Sequence, residues 1–166
     1  VNDIIIREVI ESDYTTITDI SIIGWRHAYR GILEQELLDN LSFEEILARK
    51  TKWYSGEGHY SIVAVIEGDV VGFCDFGVSR RPQYGPGEIK AIYLLPQYKG
   101  RGVGKLLMQS AMSKLREYNL IPFLVSTLEQ NIAAQKFYEK LGFDQVGDIA
   151  TRVGDRDYLE RIYVSN

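Results

Sequence analysis

The period of hydrophobic positions changes several times along the chain, and each change predicts an element. Residues 4–9, Ile-Ile-Ile-Arg-Glu-Val, are rich in β-branched side chains and predict a strand. Ser12 and Asp13 offer an N-cap for a helix running towards His27, with Ile17, Ile20 and Ile23 at helical spacing. After Gly31 a second helical region covers residues 34–53, broken near Leu41 and Ser42, where Ser42 and Glu45 make a capping box. Residues 60–66 and 70–78 read as strands of a hairpin turning at Gly68 and Asp69. A loop with Pro82 and Pro86 leads to residues 88–95, a strand nearly continuous in apolar residues after Lys90, as a central strand requires. Pro96 stops it. Residues 102–118 predict a helix with Leu106, Leu107, Ala111, Met112 and Leu115 as its apolar stripe. A strand over 122–127, a helix over 131–141 closed by Gly142, and a hairpin of 143–152 with 158–164 complete the chain.

Strand, two helices, three strands, helix, strand, helix, two strands is the order of a mixed α/β (α+β) domain built on one sheet. The 166 residues suit one core, so residues 1–166 are expected to form a single domain. A doubly wound dinucleotide fold needs stricter alternation than hairpins at both ends allow.

No run approaches the ~20 apolar residues of a membrane span. The first residues lack a basic stretch followed by a long apolar one, so no signal peptide and a cytoplasmic location are expected. Cys74 is the only cysteine, which excludes an internal disulfide and a Cys-based metal cluster within the chain. Set in a strand, it reads as a small apolar core residue. His27 and His59 have no partners at metal-ligand spacing, so no metal is expected. The net charge of -4 argues against nucleic acid as a partner. It is compatible with a cationic amine substrate, and equally with mere solubility.

The chemistry concentrates where the central strand meets the next helix. Lys99-Gly100-Arg101-Gly102-Val103-Gly104-Lys105 is a glycine-rich turn opening a helix. Free N–H groups and the helix dipole make such a turn an anion site, and absent Cβ atoms let a phosphate approach the backbone. The P-loop pattern fails because Leu106 follows Lys105 where Ser or Thr is needed. The dinucleotide pattern fails because its third glycine falls on Lys105 or Leu107. A glycine turn with no ligand remains the plain structural alternative.

The segment 99–104 resembles the acetyl-CoA signature of the GNAT superfamily of N-acetyltransferases, Q/R-x-x-G-x-G/A, with Lys99 in place of Gln or Arg. Residues 131–143, Asn-Ile-Ala-Ala-Gln-Lys-Phe-Tyr-Glu-Lys-Leu-Gly-Phe, resemble the family's second signature, and element order agrees over nearly the whole chain. The resemblance implies a mostly antiparallel sheet of about seven strands with about four helices, splayed centrally to hold acetyl-CoA. Ile92, Tyr93 and Leu94 would line the pantetheine arm. Lys99 to Lys105, that is Lys99, Gly100, Arg101, Gly102, Val103, Gly104 and Lys105, would surround the pyrophosphate. Asn131 would touch the cofactor arm, or serve only as a helix N-cap. Tyr138 would protonate the leaving thiolate, or pack as a core aromatic. Glu88 would accept the amine proton, or be a solvated charge at the strand entry. Trp25 and Tyr29 would wall the substrate site, or pack on each other. The implied activity is acetyl transfer to a primary amine of a small molecule, polyamine, amino acid or peptide. The alternative is a non-catalytic acyl-CoA-binding sensor. A homodimer is an option drawn from the family by analogy alone.

Overall fold

A computed structural model describes residues 3–166; residues 1 and 2, the start of the stretch inspected for a signal peptide, lie outside it. The elements are β1 (Ile4–Glu8), α1 (Tyr14–Tyr29), α2 (Gln35–Asp39), α3 (Phe43–Tyr54), β2 (His59–Ile66), β3 (Asp69–Val78), β4 (Gly87–Leu94), α4 (Val103–Glu117), β5 (Phe123–Leu128), α5 (Ile132–Lys140), β6 (Asp144–Val153) and β7 (Arg156–Ser165). The expected four helices are five, because the break at Leu41 and Ser42 makes α2 a helix of its own. Ser42 Oγ caps α3 by accepting from the Glu45 amide at 3.3 Å.

The strands form one sheet in the order β1-β2-β3-β4-β5-β7-β6. Every pairing is antiparallel except β4 with β5, which α4 connects as a crossover. That one parallel pair is short: Gly87, Glu88 and Ile89 pair with Phe123, Leu124 and Val125, and pairing then stops. On its other edge β4 stays bonded to β3 as far as Leu94, with Lys90 bulged out between Ile89 and Ala91.

Two helices cover each face. Val103, Leu107, Ala111 and Leu115 of α4, with Tyr138 of α5, pack on Ile62, Phe76, Phe123 and Tyr163. The stripe predicted for α4 needs correction, since Leu106 is 40% exposed whereas Val103 and Met108 are buried. The helix starts at Val103, and steps of three and four from that residue set the buried face. On the opposite face Ile17 and Ile20 of α1 pack on Val63 and Phe73. Helix α3 buries no residue fully and is held there partly by polar contacts. The buried Asp75 carboxylate accepts from Ser61 Oγ at 2.7 Å and Tyr54 Oη at 3.3 Å, and pairs with Lys50 at 3.2 Å. A buried charge so partnered avoids the desolvation cost of an isolated one.

Asp13 does not cap α1 as expected. Its carboxylate is already taken by the Arg7 guanidinium, at 2.7 and 3.0 Å, and by the Ile10 amide. Helix α1 lies close on β4: a Cβ at Gly24 would stand 2.4 Å from Tyr93 Cδ1. Gly24→Ala must therefore push the Tyr93 ring aside, and is expected to cost about 1–3 kcal/mol of stability, an overpacking effect. Urea denaturation reads it directly; an unchanged midpoint would mean that Tyr93 is free to move.

Candidate active site

Where β4 and β5 part, the sheet opens into a cleft of about 810 Å³. Ile92, Tyr93 and Leu94 form one wall; their β3 side is paired with Cys74, Phe73 and Gly72, and their β5 side has no strand partner. Main-chain donors and acceptors along that edge are open to an extended ligand, since backbone groups left unpaired away from water are costly.

The glycine turn closes one end of the cleft. After Leu95 a short 3-10 turn over Pro96–Tyr98 carries the chain to Gly100 and Gly102, both left-handed with φ of 76° and 82°. None of the amides from Gly100 to Lys105 makes a hydrogen bond within the described chain. A Cβ placed at Gly100 or Gly102 meets nothing within 4 Å. Open space in front of unpartnered N–H groups at the start of α4 fits a pyrophosphate. A Cβ at Gly104, which also lines the cleft, would make ordinary contacts with Leu94 and Phe137 at 3.5 Å. Arg101 lies over the Tyr98 ring at 5.5 Å. Positive charge accumulates here: Lys99 and then burial and Arg30 push the His27 pKa down, leaving that ring neutral at neutral pH.

Farther along, Asn131 lines the cleft, and its Oδ1 accepts from the Ala134 amide at 3.2 Å as the α5 cap. Tyr138 is buried against Phe143 and Tyr163 yet lines the cleft, with no hydrogen-bond partner for its hydroxyl among the described residues. Burial, reinforced by Tyr29, Cys74 and Tyr163, raises its pKa well above the ordinary phenol value. Trp25 and Tyr29 pack on each other edge to face, with ring centroids 5.1 Å apart, and on Leu33, Leu38 and Leu128; they also face the cleft.

Glu88 is placed otherwise than a solvated strand-entry charge. It is 1% exposed and is not among the residues lining the cleft. The Arg80 amide donates to its Oε2 at 2.8 Å and Arg80 Nη2 to its Oε1 at 2.7 Å. Direct contact between this carboxylate and an amine has no room in that arrangement. The sequence reading missed the charged groups at this end: Arg80, and Glu160 held by Arg81 at 2.9 Å and by Ser126 Oγ at 2.5 Å. Nothing local marks them, because Arg81 and Glu160 come from distant parts of the chain.

The model of the acetyltransferase (GNAT) family matches residues 24–143, which contain the glycine turn, Asn131 and Tyr138. The chain belongs to this family. Within it, the chain is 32% identical over 128 residues to the uncharacterized N-acetyltransferase YuaI of Bacillus subtilis (strain 168), covering 76% of this chain and 72% of that protein. It is 23% identical over 143 residues to the spermidine N(1)-acetyltransferase of Thermoplasma acidophilum, covering 83% and 86%. The fold matches that of the PaiA N-acetyltransferase from Thermoplasma acidophilum in complex with coenzyme A, with a TM-score of 0.74 at 21% identity over 96% of this chain and 98% of that one. As a GNAT acetyltransferase the protein is an acyltransferase that uses acetyl-CoA as cosubstrate.

A pyrophosphate held by these amides would depend on shape more than on side-chain charge. Gly102→Glu puts a side chain and a negative charge into the open space and is expected to abolish acetyl-CoA binding. Lys99→Ala, which removes one exposed charge, is expected to weaken it less than about tenfold. For the wild type, cofactor at about 100 times Kd adds about 2.7 kcal/mol to stability, so thermal shift ranks the three proteins. Loss of binding in Lys99→Ala with binding retained in Gly102→Glu would contradict the cradle.

Proposed function

We propose that the protein transfers the acetyl group of acetyl-CoA to a primary amine by direct attack, with Tyr138 serving the leaving thiolate and Glu88 acting at one remove. The observation that carries this reading is the unpartnered Tyr138 hydroxyl on the wall of a cleft whose other end is the glycine cradle. Acetyl-CoA supplies the thioester carbonyl. The acceptor nitrogen forms the new amide bond, the carbon–sulfur bond breaks, and the nitrogen loses one proton while the sulfur gains one.

The chain's part is to orient and to manage those protons. Tyr138, kept protonated by burial, donates a hydrogen bond to the departing sulfur. A thiol resembling that of cysteine has a pKa near ~8.5, so the thiolate is already a fair leaving group and needs only modest help. The amine has the opposite problem, since an alkylammonium at about pH 7 is almost wholly protonated. Glu88 is tied to Arg80 and Glu160 to Arg81 and Ser126, so water in the open cleft carries the amine proton, with Glu88 behind the wall stabilising that transfer.

Thiol release on mixing protein, acetyl-CoA and an amine panel tests the activity. Acetyl-CoA binding without release towards any amine would leave a non-catalytic binding module instead. Tyr138→Phe is expected to lower turnover about 10- to 100-fold, with cofactor binding unchanged because the ring remains. Since burial raises the Tyr138 pKa, the donor form persists as pH rises, and wild-type turnover should hold up to about pH 10, the ordinary phenol value. A fall near that pH which vanishes in Tyr138→Phe would mean that the hydroxyl acts without being held protonated by burial, whereas wild-type turnover in Tyr138→Phe would contradict the assignment. Glu88→Gln should lose most at neutral pH and recover in part at high pH, where the amine is already free. An unchanged pH–rate profile would remove Glu88 from the mechanism.

A further inference from the structure

The acceptor end of the cleft contains more positive than negative charge. Arg80 and Lys90 both line it, and the buried carboxylate of Glu88, paired with Arg80, also acts on Lys90. That carboxylate is committed to Arg80, through the amide, Nε and Nη2. The Arg80 side chain is nevertheless 62% exposed, and its Nη1 has no partner in the described chain. Lys90 is the residue bulged out of β4, partly buried, and no carboxylate lies within ion-pair distance of its amine among the described residues. Its Nζ instead contacts His59 Nδ1 at 3.0 Å and lies over the Trp53 ring at 5.3 Å. Burial, then the charge of Lys90, lowers the His59 pKa, so this ring is the neutral partner. Burial lowers the Lys90 pKa as well, with Glu88 and Asp75 opposing that and Arg80 adding to it.

The other charged group of this end is already neutralised. Glu160 spends its oxygens on Arg81 and Ser126. A polycation entering here would meet two cations and no free carboxylate. A partly buried cation without a counter-ion costs desolvation energy that a bound anion recovers.

We infer that the acceptor is an amine that also carries a carboxylate, such as a free amino acid, with the carboxylate bound between Arg80 Nη1 and Lys90. Two cations over one buried carboxylate leave a single positive charge over, which fits a monoanion. This inference rests on the acetyltransferase reading above and narrows its substrate class away from polyamines. The excess charge also assigns Lys90 a function that the β4 bulge alone would not require.

Matched acceptors separate the possibilities: each amino acid against the amine that remains when its carboxylate is removed, with spermidine as a polycation. For wild type the carboxylated member of the preferred pair should show a KM at least tenfold lower. Lys90→Gln should raise that KM about tenfold and leave the KM of the decarboxylated amine unchanged. Arg80→Gln in a Glu88→Gln background, which avoids stranding a buried carboxylate, should erase the preference. The thermal shift given by acetyl-CoA checks that each variant is folded. Equal or better use of decarboxylated amines or spermidine, or a carboxylate preference that survives in both variants, would overturn the inference. So would turnover confined to acceptors that lack a carboxylate. Failure to turn over any amine, or to bind acetyl-CoA, would instead overturn the reading beneath it.

Discussion

Parallel strands that pair over Gly87–Ile89 and Phe123–Val125 and then separate leave two rows of main-chain groups facing a gap. Such groups need partners, and in a sheet they ordinarily find them in the neighbouring strand. Here β5 remains bonded to β7 through Leu128, while β4 remains bonded to β3 through Leu94. Each strand is held by its outer neighbour, so the gap is a fixed feature of the sheet and costs little reorganisation when filled. Apart from Glu88, the residues to which a role is proposed border it: the glycine turn that β4 feeds, the α5 residues Asn131 and Tyr138, and the Trp25 and Tyr29 rings from α1.

The two ends of the gap handle charge differently. At the glycine turn the chain offers amides and a helix start, with Lys99, Lys105 and His27 close by, so an anion is met by shape first and charge second. At the other end side chains supply the charge, and nearly all of it is paired within the protein. Arg80 with Glu88, and Arg81 with Glu160 and Ser126, tie the loop after β3 to β4, β5 and β7. These pairs brace the rim of the opening and leave Lys90 and one edge of Arg80 as its unspent cations. Pairs of this kind are strongly destabilising to break singly when one member is buried, which makes the rim rigid as well as charged.

Most of the architecture was legible because its signals are local. The Gly100 and Gly102 turn, the Ser42 and Asn131 caps and the closing Gly142 each announce a boundary within a few residues, and the strands between them follow from β-branched runs. The faces were harder. Residues 88–95 read as one apolar strand, and nothing in Glu-Ile-Lys-Ala-Ile reveals that the chain bulges at Lys90 and reverses which side chains point to α4. The phase of α4 is set by its first residue, Val103, which turns Leu106 outward. Asp13 has the composition of a cap but was claimed by Arg7 across the turn. The ion pairs at the acceptor end are tertiary contacts, and a carboxylate at a strand entry looks the same in sequence whether it is solvated or, like Glu88, sealed under an arginine.

If the splayed edge and the free amides of the turn are where acetyl-CoA lies, hydrogen exchange gives the most direct test. Adding acetyl-CoA should slow exchange of the Ile92 and Leu94 amides, which face the gap, and of those from Gly100 to Lys105, whereas the Tyr93 amide faces β3 and should change little. The paired amides of β2, already protected in the sheet, should change little. Binding without protection of the turn, or protection confined to another surface, would contradict the account.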